Sequence, residues 1–510
     1  MSKYYVTTPI YYVNADPGLG QVYTSIAADV LARFHRLDGH EVFFLTGTDE
    51  HGQKVQKSAQ NKGIHPQTYV DEMAQRFVQL NTVFNISNDA FIRTTDERHK
   101  QAAQHLWKKL LANDQVYIST YSGWYATRDE AFYDETEIIA GKAPTGAPVE
   151  WVEEECYFFR LSQWQDKLLD FYEQNPHFIA PQAKRNEVLG FVKRGLNDIC
   201  VSRTTFDWGV QVPDAPAHIM YVWIDALTNY ITALGYPDVN TDIFAFWNAS
   251  LHIVGKDILR FHAVYWPAFL MAADLLPPSR LFVHGWWTRD KQKMSKSLGN
   301  TLNPFAVAHA YGVDQTRYFL MREMPFGNDG DFSEESLRAR ITTELSNDLG
   351  NLAQRVLSFV HKHVHARIPH PKEIHAVDSA LLSCARQALP DMREEMKNQQ
   401  IHTMIQRIWL IIANANRYVD SQKPWDLRKT DTDRLDTVLY VLLETLRMVG
   451  IYLQPLMPDT ADKLLTMLGI SGNNRTFLAI ESAHVSTGET LSADLMQLFP
   501  RHEERGNVLG

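Results

Sequence analysis

Cysteine is nearly absent: 510 residues hold three, Cys156, Cys200 and Cys384, with no Cys-x-x-Cys pair. That argues against a disulfide framework and against a thiolate zinc site. No window approaches the roughly 18 apolar residues that a membrane span requires. The opening Met1-Ser2-Lys3-Tyr4-Tyr5-Val6 has no charged region leading into an apolar stretch and a cleavage site, so no secretory signal is expected and the chain reads as cytoplasmic. An excess of positive charge is missing too. The formal net charge is -10, which speaks against indiscriminate nucleic-acid binding and against a DNA partner. It leaves room for a shaped RNA held by local basic clusters such as Lys184-Arg185, Lys193-Arg194 and Arg289-Asp290-Lys291-Gln292-Lys293, although most charge runs are only solvated faces. Internal repeats and low-complexity segments are lacking.

What is present is ordinary globular material, 45% hydrophobic and 22% charged, with length for roughly two to four domains. Tyr4–Ile10 is rich in β-branched and aromatic residues, and Asn14–Gly20 is turn material. Val22, Ile26, Val30 and Phe34 then recur at four-residue spacing, one face of a helix, before the apolar run Glu41–Thr48. This βαβ opening predicts an α/β fold with a doubly wound parallel sheet, Rossmann-like. Between about 116 and 215 aromatic and acidic residues mix with turns, which reads as an insertion. The α/β pattern resumes through Tyr221–Asp225, Leu251–Asp257 and Leu281–Gly285. From about 333 helical periodicity takes over, as in Ile401, Met404, Ile405 and Ile408. The expected division is 1–115 and 216–332 for the two halves of the sheet domain, 116–215 for the insertion, 333–469 for an α-helical bundle and 470–510 for a tail.

The strongest single motif is Lys293-Met294-Ser295-Lys296-Ser297, in a polar loop after an apolar strand. Two lysines and two hydroxyls on a loop can embrace a polyphosphate and follow it as charge develops; a plain basic surface loop is the bland alternative. The five letters match the second signature of class I aminoacyl-tRNA synthetases. Thr46–Gly52 (T-G-T-D-E-H-G), Tyr221–Leu227 (Y-V-W-I-D-A-L), Gly255-Lys256-Asp257-Ile258, Phe261-His262, Trp266-Pro267, Phe206–Gly209 and Leu498–Arg501 resemble segments of the methionyl type. The resemblance to methionyl-tRNA synthetases runs over essentially the whole chain, with several motifs in the right order.

That resemblance implies roles residue by residue. Ile10, Tyr12, Asp49, Trp223, Ala226, Tyr230, Ile258, His262 and Trp266 would bind methionine, with Asp49 holding the ammonium and the rings and apolar walls wrapping a flexible, polarizable thioether. Gly255 and Asp257 would receive the adenosine of ATP, with Lys296 and Ser297 also on the nucleotide. Lys293, Lys296, Gly18, Gly20 and Gln21 would serve catalysis, and Arg203 lies where the family places a basic residue near the substrates. In the bundle, Asn351 and Arg355, four apart on one helix face, would with Trp425 read the anticodon, since an aromatic stacks an unpaired base while Asn and Arg bond its edge. Taken without the family, the aromatics would be core and the charged pairs surface bridges. Implied partners are methionine, ATP with Mg2+, and tRNA(Met), served by a catalytic domain with an inserted connective domain and a C-terminal anticodon-binding bundle. No oligonucleotide-binding module follows Leu498–Arg501, so a monomer is expected.

Two departures stand out. Where the first class I signature reads His-Ile-Gly-His, this chain has Gly18-Leu19-Gly20-Gln21. The glycine that lets backbone approach ATP is kept, and both imidazoles are gone. Losing one transition-state donor costs about 2.7–4 kcal/mol in well-studied enzymes, so nucleotide binding is expected to survive better than adenylation. The Gln21 amide and the amides of the helix N-terminus remain as donors. Second, the insertion has Ala126 and Asp129 where zinc-bearing relatives carry cysteines, and no metal is expected. Three readings follow: a methionine–tRNA ligase, a paralogue that binds tRNA and methionine with adenylation weakened or lost, or a specialised amino-acid-activating enzyme with another acceptor. Replacing Gly18 and Gln21 together with histidine is expected to raise methionine-dependent ATP–pyrophosphate exchange; no gain would mean that the site has adapted otherwise.

Overall fold

The computed structural model describes residues 2–129, 131–133, 135–289, 291–294 and 301–499. Seven strands form one sheet, with the order Tyr11–Tyr12, Glu41–Asp49, Lys3–Thr7, Ser250–Gly255, Arg280–His284, Ile179–Ala180, and Ala90–Arg93 also pairing with Glu41–Asp49. Every pairing in it is parallel. Parallel neighbours cannot be joined by tight hairpins and need crossovers. The helix Leu19–Leu37 supplies the first of these, returning the chain from Lys3–Thr7 to Glu41–Asp49.

The four-residue spacing predicted one buried face for that helix. From Val22 to Ala32 it is instead buried all round, because its outer side is covered by the helical part of the chain. Phe34 packs edge-on against Phe477 at 4.8 Å, and a single apolar cluster runs from Val22 and Ile26 through Phe319 to Leu446 and Leu453. The segment beyond 470 belongs to this cluster, with Phe477, Ile480, Val485 and Leu491 buried.

The inserted segment carries its own antiparallel sheet. Strands Val116–Ala126 and Glu150–Phe159 pair from Val116 opposite Phe159 to Tyr125 opposite Glu150, flanked by Ala131–Tyr133 and Ile199–Cys200. The bundle is built on Asn351–His363, Ala376–Lys397, Ile401–Gln422, Thr432–Leu453 and Pro458–Met467. Among the described residues no helix is long and apolar enough to cross a membrane.

One buried ion pair fastens these parts. Arg317, in the helix Val313–Arg322, has no exposed surface and donates from Nη2 to Asp29 Oδ2 at 2.6 Å. Three of its other hydrogens go to the carbonyls of Leu456 (2.9 Å), Pro455 (3.0 Å) and Phe84 (3.0 Å). Asp29 also accepts from Arg33 Nε at 2.8 Å and from the Ser87 amide at 2.7 Å. Burial pushes the Asp29 carboxyl up, but Arg317, Arg33 and Ser87 outweigh it and hold the group below its ordinary value. Asp29→Asn leaves the guanidinium without its counter-charge, which costs about 3–5 kcal/mol when a buried pair is broken. A carboxyl held low contributes its stability above the unfolded value of about 3.9 and loses it as the pH falls through the folded value. Thermal melts should therefore show a midpoint gap between wild type and Asp29→Asn that is full near neutrality and narrows below about pH 4.

Candidate active site

In a parallel sheet with helical crossovers the carboxyl ends of the strands open onto a shared crevice. Here those ends carry Thr7, Tyr12, Asp49, Gly255 and His284. Tyr12 lies opposite Asp49 in the strand register, and the Val13 amide donates to the Asp49 carbonyl at 3.2 Å. Asp49 is buried to 8% exposure at the end of its strand.

The turn after Asp49 is pinned at each step. Glu50, fully buried, accepts from Thr48 Oγ1 at 2.7 Å and from Arg93 Nε and Nη2 at 2.7 and 3.0 Å. Its amide donates to Thr94 Oγ1 at 2.9 Å, and its carbonyl accepts from Trp208 Nε1 at 2.7 Å. His51 Nδ1 donates to Asp225 Oδ2 at 2.6 Å, and His99 Nε2 donates to Asp225 Oδ1 at 2.7 Å. Burial pushes the Asp225 carboxyl up; the two imidazoles prevail and hold it well below the usual carboxylate range.

Asp225 sits in the short helix Val222–Leu227, which also presents Trp223 and the buried Ala226. Trp223 stacks on Phe261 with centroids 3.8 Å apart and planes 9° apart, and it meets the edge of His262 at 6.0 Å. His262 lies in a π-helical turn, Phe261–Tyr265, a local widening often found at functional sites. Its Nδ1 is 3.0 Å from the Ile258 carbonyl, which can only accept. Nδ1 therefore carries the proton, and Nε2 accepts from the Tyr230 hydroxyl at 2.7 Å. Burial lowers the His262 pKa to about 4, against smaller upward pulls from the Ile258 carbonyl and Asp257. Trp266 is fully buried 6.3 Å from Tyr230, and Ile10 and Ile258 pack partly buried against the same cluster. The chemistry is a neutral aromatic enclosure, suited to an apolar side chain with a soft sulfur, on one side of a buried carboxylate.

The second half of the crevice begins at Gly18, the N-cap of Leu19–Leu37. The Gly18 amide donates to Gln21 Oε1 at 2.9 Å. With Oε1 so fixed, the Gln21 amino group is turned away from Gly18, and among the described residues its two hydrogens have no acceptor. Among the described residues a Cβ on Gly20 would meet no atom within 4 Å, so none of them covers this turn. Across from it Gly255 ends its strand, and a Cβ there would come within 2.6 Å of Asp257 Oδ1. Asp257 Oδ1 accepts from Trp286 Nε1 at 3.2 Å, while Lys256 pairs with Asp329 at 2.6 Å and lies 4.3 Å from the centre of the Trp286 ring.

Lys293 pairs with Thr288 in the strand Gln292–Lys293. Its side chain, and Lys296 and Ser297 altogether, lie outside the described residues. Where the chain is described again it returns to the Gly18 turn. Thr301, Leu302 and Asn303 line, with Asp16, Pro17 and Gly18, a cavity of about 430 Å³. Arg76 and Asp16 form an ion pair at its rim.

Arg203 is seated in the insertion, 4% exposed, paired with Glu154 at 2.5 Å and 4.1 Å from the Tyr125 ring centre. In the insertion's four-stranded sheet Cys156 and Cys200 lie on neighbouring strands, the Cys200 thiol donates to the Ser202 carbonyl at 3.0 Å, and Cys200 and burial together push the Cys156 thiol up. Ala126 is buried, and Asp129 accepts from the Tyr133 hydroxyl at 3.0 Å and from Thr145. On the bundle, Asn351 is exposed at the start of its helix. The Arg355 guanidinium lies 5.9 Å from the Trp425 ring and bonds Asp420 at 2.9 Å. Trp425 is 43% exposed, and it lines with Arg355, Val356, Phe359 and Pro424 a second cavity of about 140 Å³.

Sequence reasoning assigned no role to Glu50, His51, Arg93, His99, Asp225, Phe261 or Trp286. The available signal was a lone Asp225 inside the apolar run Y-V-W-I-D-A-L, an ionisable group with no water to solvate it.

A family profile described as "tRNA synthetases class I (M)" matches residues 4–148 and 142–357. A second, "Anticodon binding domain of methionyl tRNA ligase", matches 368–492. The methionine–tRNA ligase of Rickettsia bellii is 54% identical over 509 residues, 99% of this chain and 100% of the relative. That of Brucella suis is 51% identical over 507 residues, 98% of each. The solved Mycobacterium tuberculosis methionyl-tRNA synthetase in complex with methionyl-adenylate superposes with a TM-score of 0.96 at 48% identity, covering 98% of this chain and 100% of that one.

The geometry around His262 makes a prediction of its own. In 15N histidine spectra the ring should keep the neutral, Nδ1-protonated signature down to about pH 5, where an unperturbed imidazole of pKa about 6.5 is mostly charged. Tyr230→Phe should move the Nε2 resonance alone. Titration of His262 near 6.5 would show the pocket to be wet.

Proposed function

Because the chain belongs to the methionyl-tRNA synthetase family of class I aminoacyl-tRNA synthetases, we propose that its crevice holds methionine and ATP side by side and its bundle reads the tRNA. The activity is that of a methionine–tRNA ligase: methionine and ATP give methionyl-adenylate and pyrophosphate, and the methionyl group then passes to tRNA. The observation that carries the site assignment is the common edge of the sheet. Asp49 and the Tyr230–His262 enclosure stand at one part of it, and the Gly18–Gln21 turn with Gly255 and Asp257 at the next.

On this reading Asp49 binds the substrate ammonium, while Ile10, Tyr12, Trp223, Ala226, Ile258, His262 and Trp266 surround the side chain. The Tyr230 hydroxyl spends its proton on His262, whose own proton is spent on Ile258, so a thioether meets no competing charge. Gly255 and Asp257 take the adenosine, the Asp257 carboxylate exchanging the Trp286 N–H for ribose hydroxyls. ATP enters as its magnesium complex. The methionine carboxylate attacks the α-phosphorus and pyrophosphate leaves. Gly18 and Gly20 let the phosphates approach the helix N-terminus, and the Nε2 hydrogens of Gln21 replace part of what imidazoles supply elsewhere. Lys293 and Lys296, with Ser297, stabilise the departing pyrophosphate. Catalysis is positioning plus electrostatics, with no covalent enzyme intermediate. Arg203 serves through the insertion's architecture. Asn351, Arg355 and Trp425 receive unpaired anticodon bases. The segments 1–115 with 216–332, 116–215 and 333–469 divide this work as catalytic, connective and anticodon-binding parts, in the cytoplasm where tRNA and ATP meet.

Two variants separate the two ends. Asp49→Asn should lower kcat/KM for methionine in pyrophosphate exchange by about 100-fold, in keeping with loss of a buried charged partner. Trp425→Ala should leave exchange unchanged and lower kcat/KM for tRNA charging about 5- to 100-fold, the range of one lost base stack. Exchange that ignores Asp49→Asn, or charging that ignores Trp425→Ala, would overturn the respective assignment.

A further inference from the structure

We propose that Asp225, held between His51 and His99, is a positioning residue for methionine: this buried clamp fixes the distance between the ammonium-binding end of the pocket and its side-chain wall. The inference rests on the methionine-site assignment above and adds three residues to it.

The clamp joins the two segments that would hold opposite ends of the substrate. His51 lies two residues after Asp49, in the turn that delivers the carboxylate. Asp225 is flanked in its helix by Trp223 and Ala226, on the wall around the side chain. The bond from His51 Nδ1 to Asp225 Oδ2, at 2.6 Å, ties turn to wall. His99, from the helix Glu97–Ala112, takes the other carboxylate oxygen at 2.7 Å and anchors the pair to the body of the domain. The side chains of His51, His99 and Asp225 are 4%, 0% and 1% exposed, so no water competes for these bonds.

The helix Val222–Leu227 has six residues. A helix that short has no stability of its own, because nucleation costs more than so few bonds return. Buried Val222, Ile224 and Leu227 seat it against the apolar core, a non-directional hold, and the Asp225 bonds supply its directional side-chain tie to the turn and to Glu97–Ala112. The flanking elements have independent anchors: Glu97–Ala112 buries Leu106, Trp107 and Leu110, and the turn at Glu50 is held by Arg93, Thr94 and Trp208. Cutting the clamp therefore lets the Trp223–Ala226 wall shift while turn and domain stay built. Such a loss falls on methionine affinity, and it spares the nucleotide half of the crevice, none of whose contacts among the described residues run through Asp225.

The test is ATP–pyrophosphate exchange by the full chain, with KM for methionine, KM for ATP and kcat read separately for His51→Ala, His99→Ala, His51→Asn, His99→Gln and Asp225→Asn. Asn and Gln restore an N–H near Nδ1 and Nε2 respectively. The alanine variants should raise methionine KM about tenfold or more and leave ATP KM within about twofold, with His51→Asn and His99→Gln recovering most of the loss. Unchanged methionine KM in the alanine variants, a joint rise of both KM values, or Asn and Gln variants as poor as alanine would each overturn the proposal. If an alanine variant does not fold, Asp225→Asn is read by the same criteria, since it keeps the shape and one acceptor oxygen. Asp49→Asn run alongside separates two failures: if it too leaves methionine KM unchanged, the pocket assignment falls, whereas a rise there with silent clamp variants removes the clamp alone.

Discussion

Parallel strands can be joined only by crossovers, so their carboxyl ends come out together on one edge of the sheet. In this chain that edge brings Tyr12, Asp49, Gly255 and His284 together from segments as far apart as residues 12 and 284. The helix Leu19–Leu37 then aims its amino end, with Gly18 as cap, at the same edge. Everything proposed about substrates follows from this placement: a carboxylate and an aromatic enclosure for an amino acid, and beside them a glycine turn and a Gly-Lys-Asp element for a nucleotide.

Charge buried behind that edge keeps it in shape. Asp29, Glu50 and Asp225 have at most 1% exposure, and each is answered by named donors: Arg317 and Arg33, Arg93, and the two imidazoles. A buried carboxylate without such partners would cost several kcal/mol. These three sites act at different depths. Asp29 fastens the first crossover helix to the bundle, Glu50 fixes the turn after Asp49, and Asp225 joins that turn to the pocket wall. The result is a crevice whose amino-acid half is tied by buried charged contacts, next to a nucleotide half whose Gly20 turn no described residue covers.

Much of this was legible in the sequence. The opening alternation of apolar strand, glycine turn and helix was enough for a parallel sheet, because strand and helix periods differ and Gly and Pro punctuate them. The motifs around Asp49, Trp223, Gly255, His262 and Lys293 located the crevice through their family resemblance. The contacts that align these motifs were not legible. His51 and His99 meet Asp225 across 174 and 126 residues, and no local pattern records which imidazole answers which carboxylate. Likewise Val22–Phe34 showed a one-sided stripe, whereas the bundle buries the helix on every side from Val22 to Ala32. Arg203 could be named as a basic residue near the substrates, but its buried partner Glu154 lies on another strand. The nearness of Cys156 and Cys200 on neighbouring strands was hidden for the same reason.

The central claim is that one crevice holds both substrates, the amino acid against Asp49 and Tyr230–His262 and the nucleotide between Gly18–Gln21 and Gly255–Asp257. A crystal structure of the chain with a non-hydrolysable methionyl-adenylate analogue tests it directly. The account predicts the ammonium within about 2.7–3.2 Å of the Asp49 carboxylate, the thioether against Tyr230 and His262, and the ribose on Asp257. An analogue bound elsewhere, or bound with its methionyl side chain outside the Trp223–His262 enclosure, would contradict it.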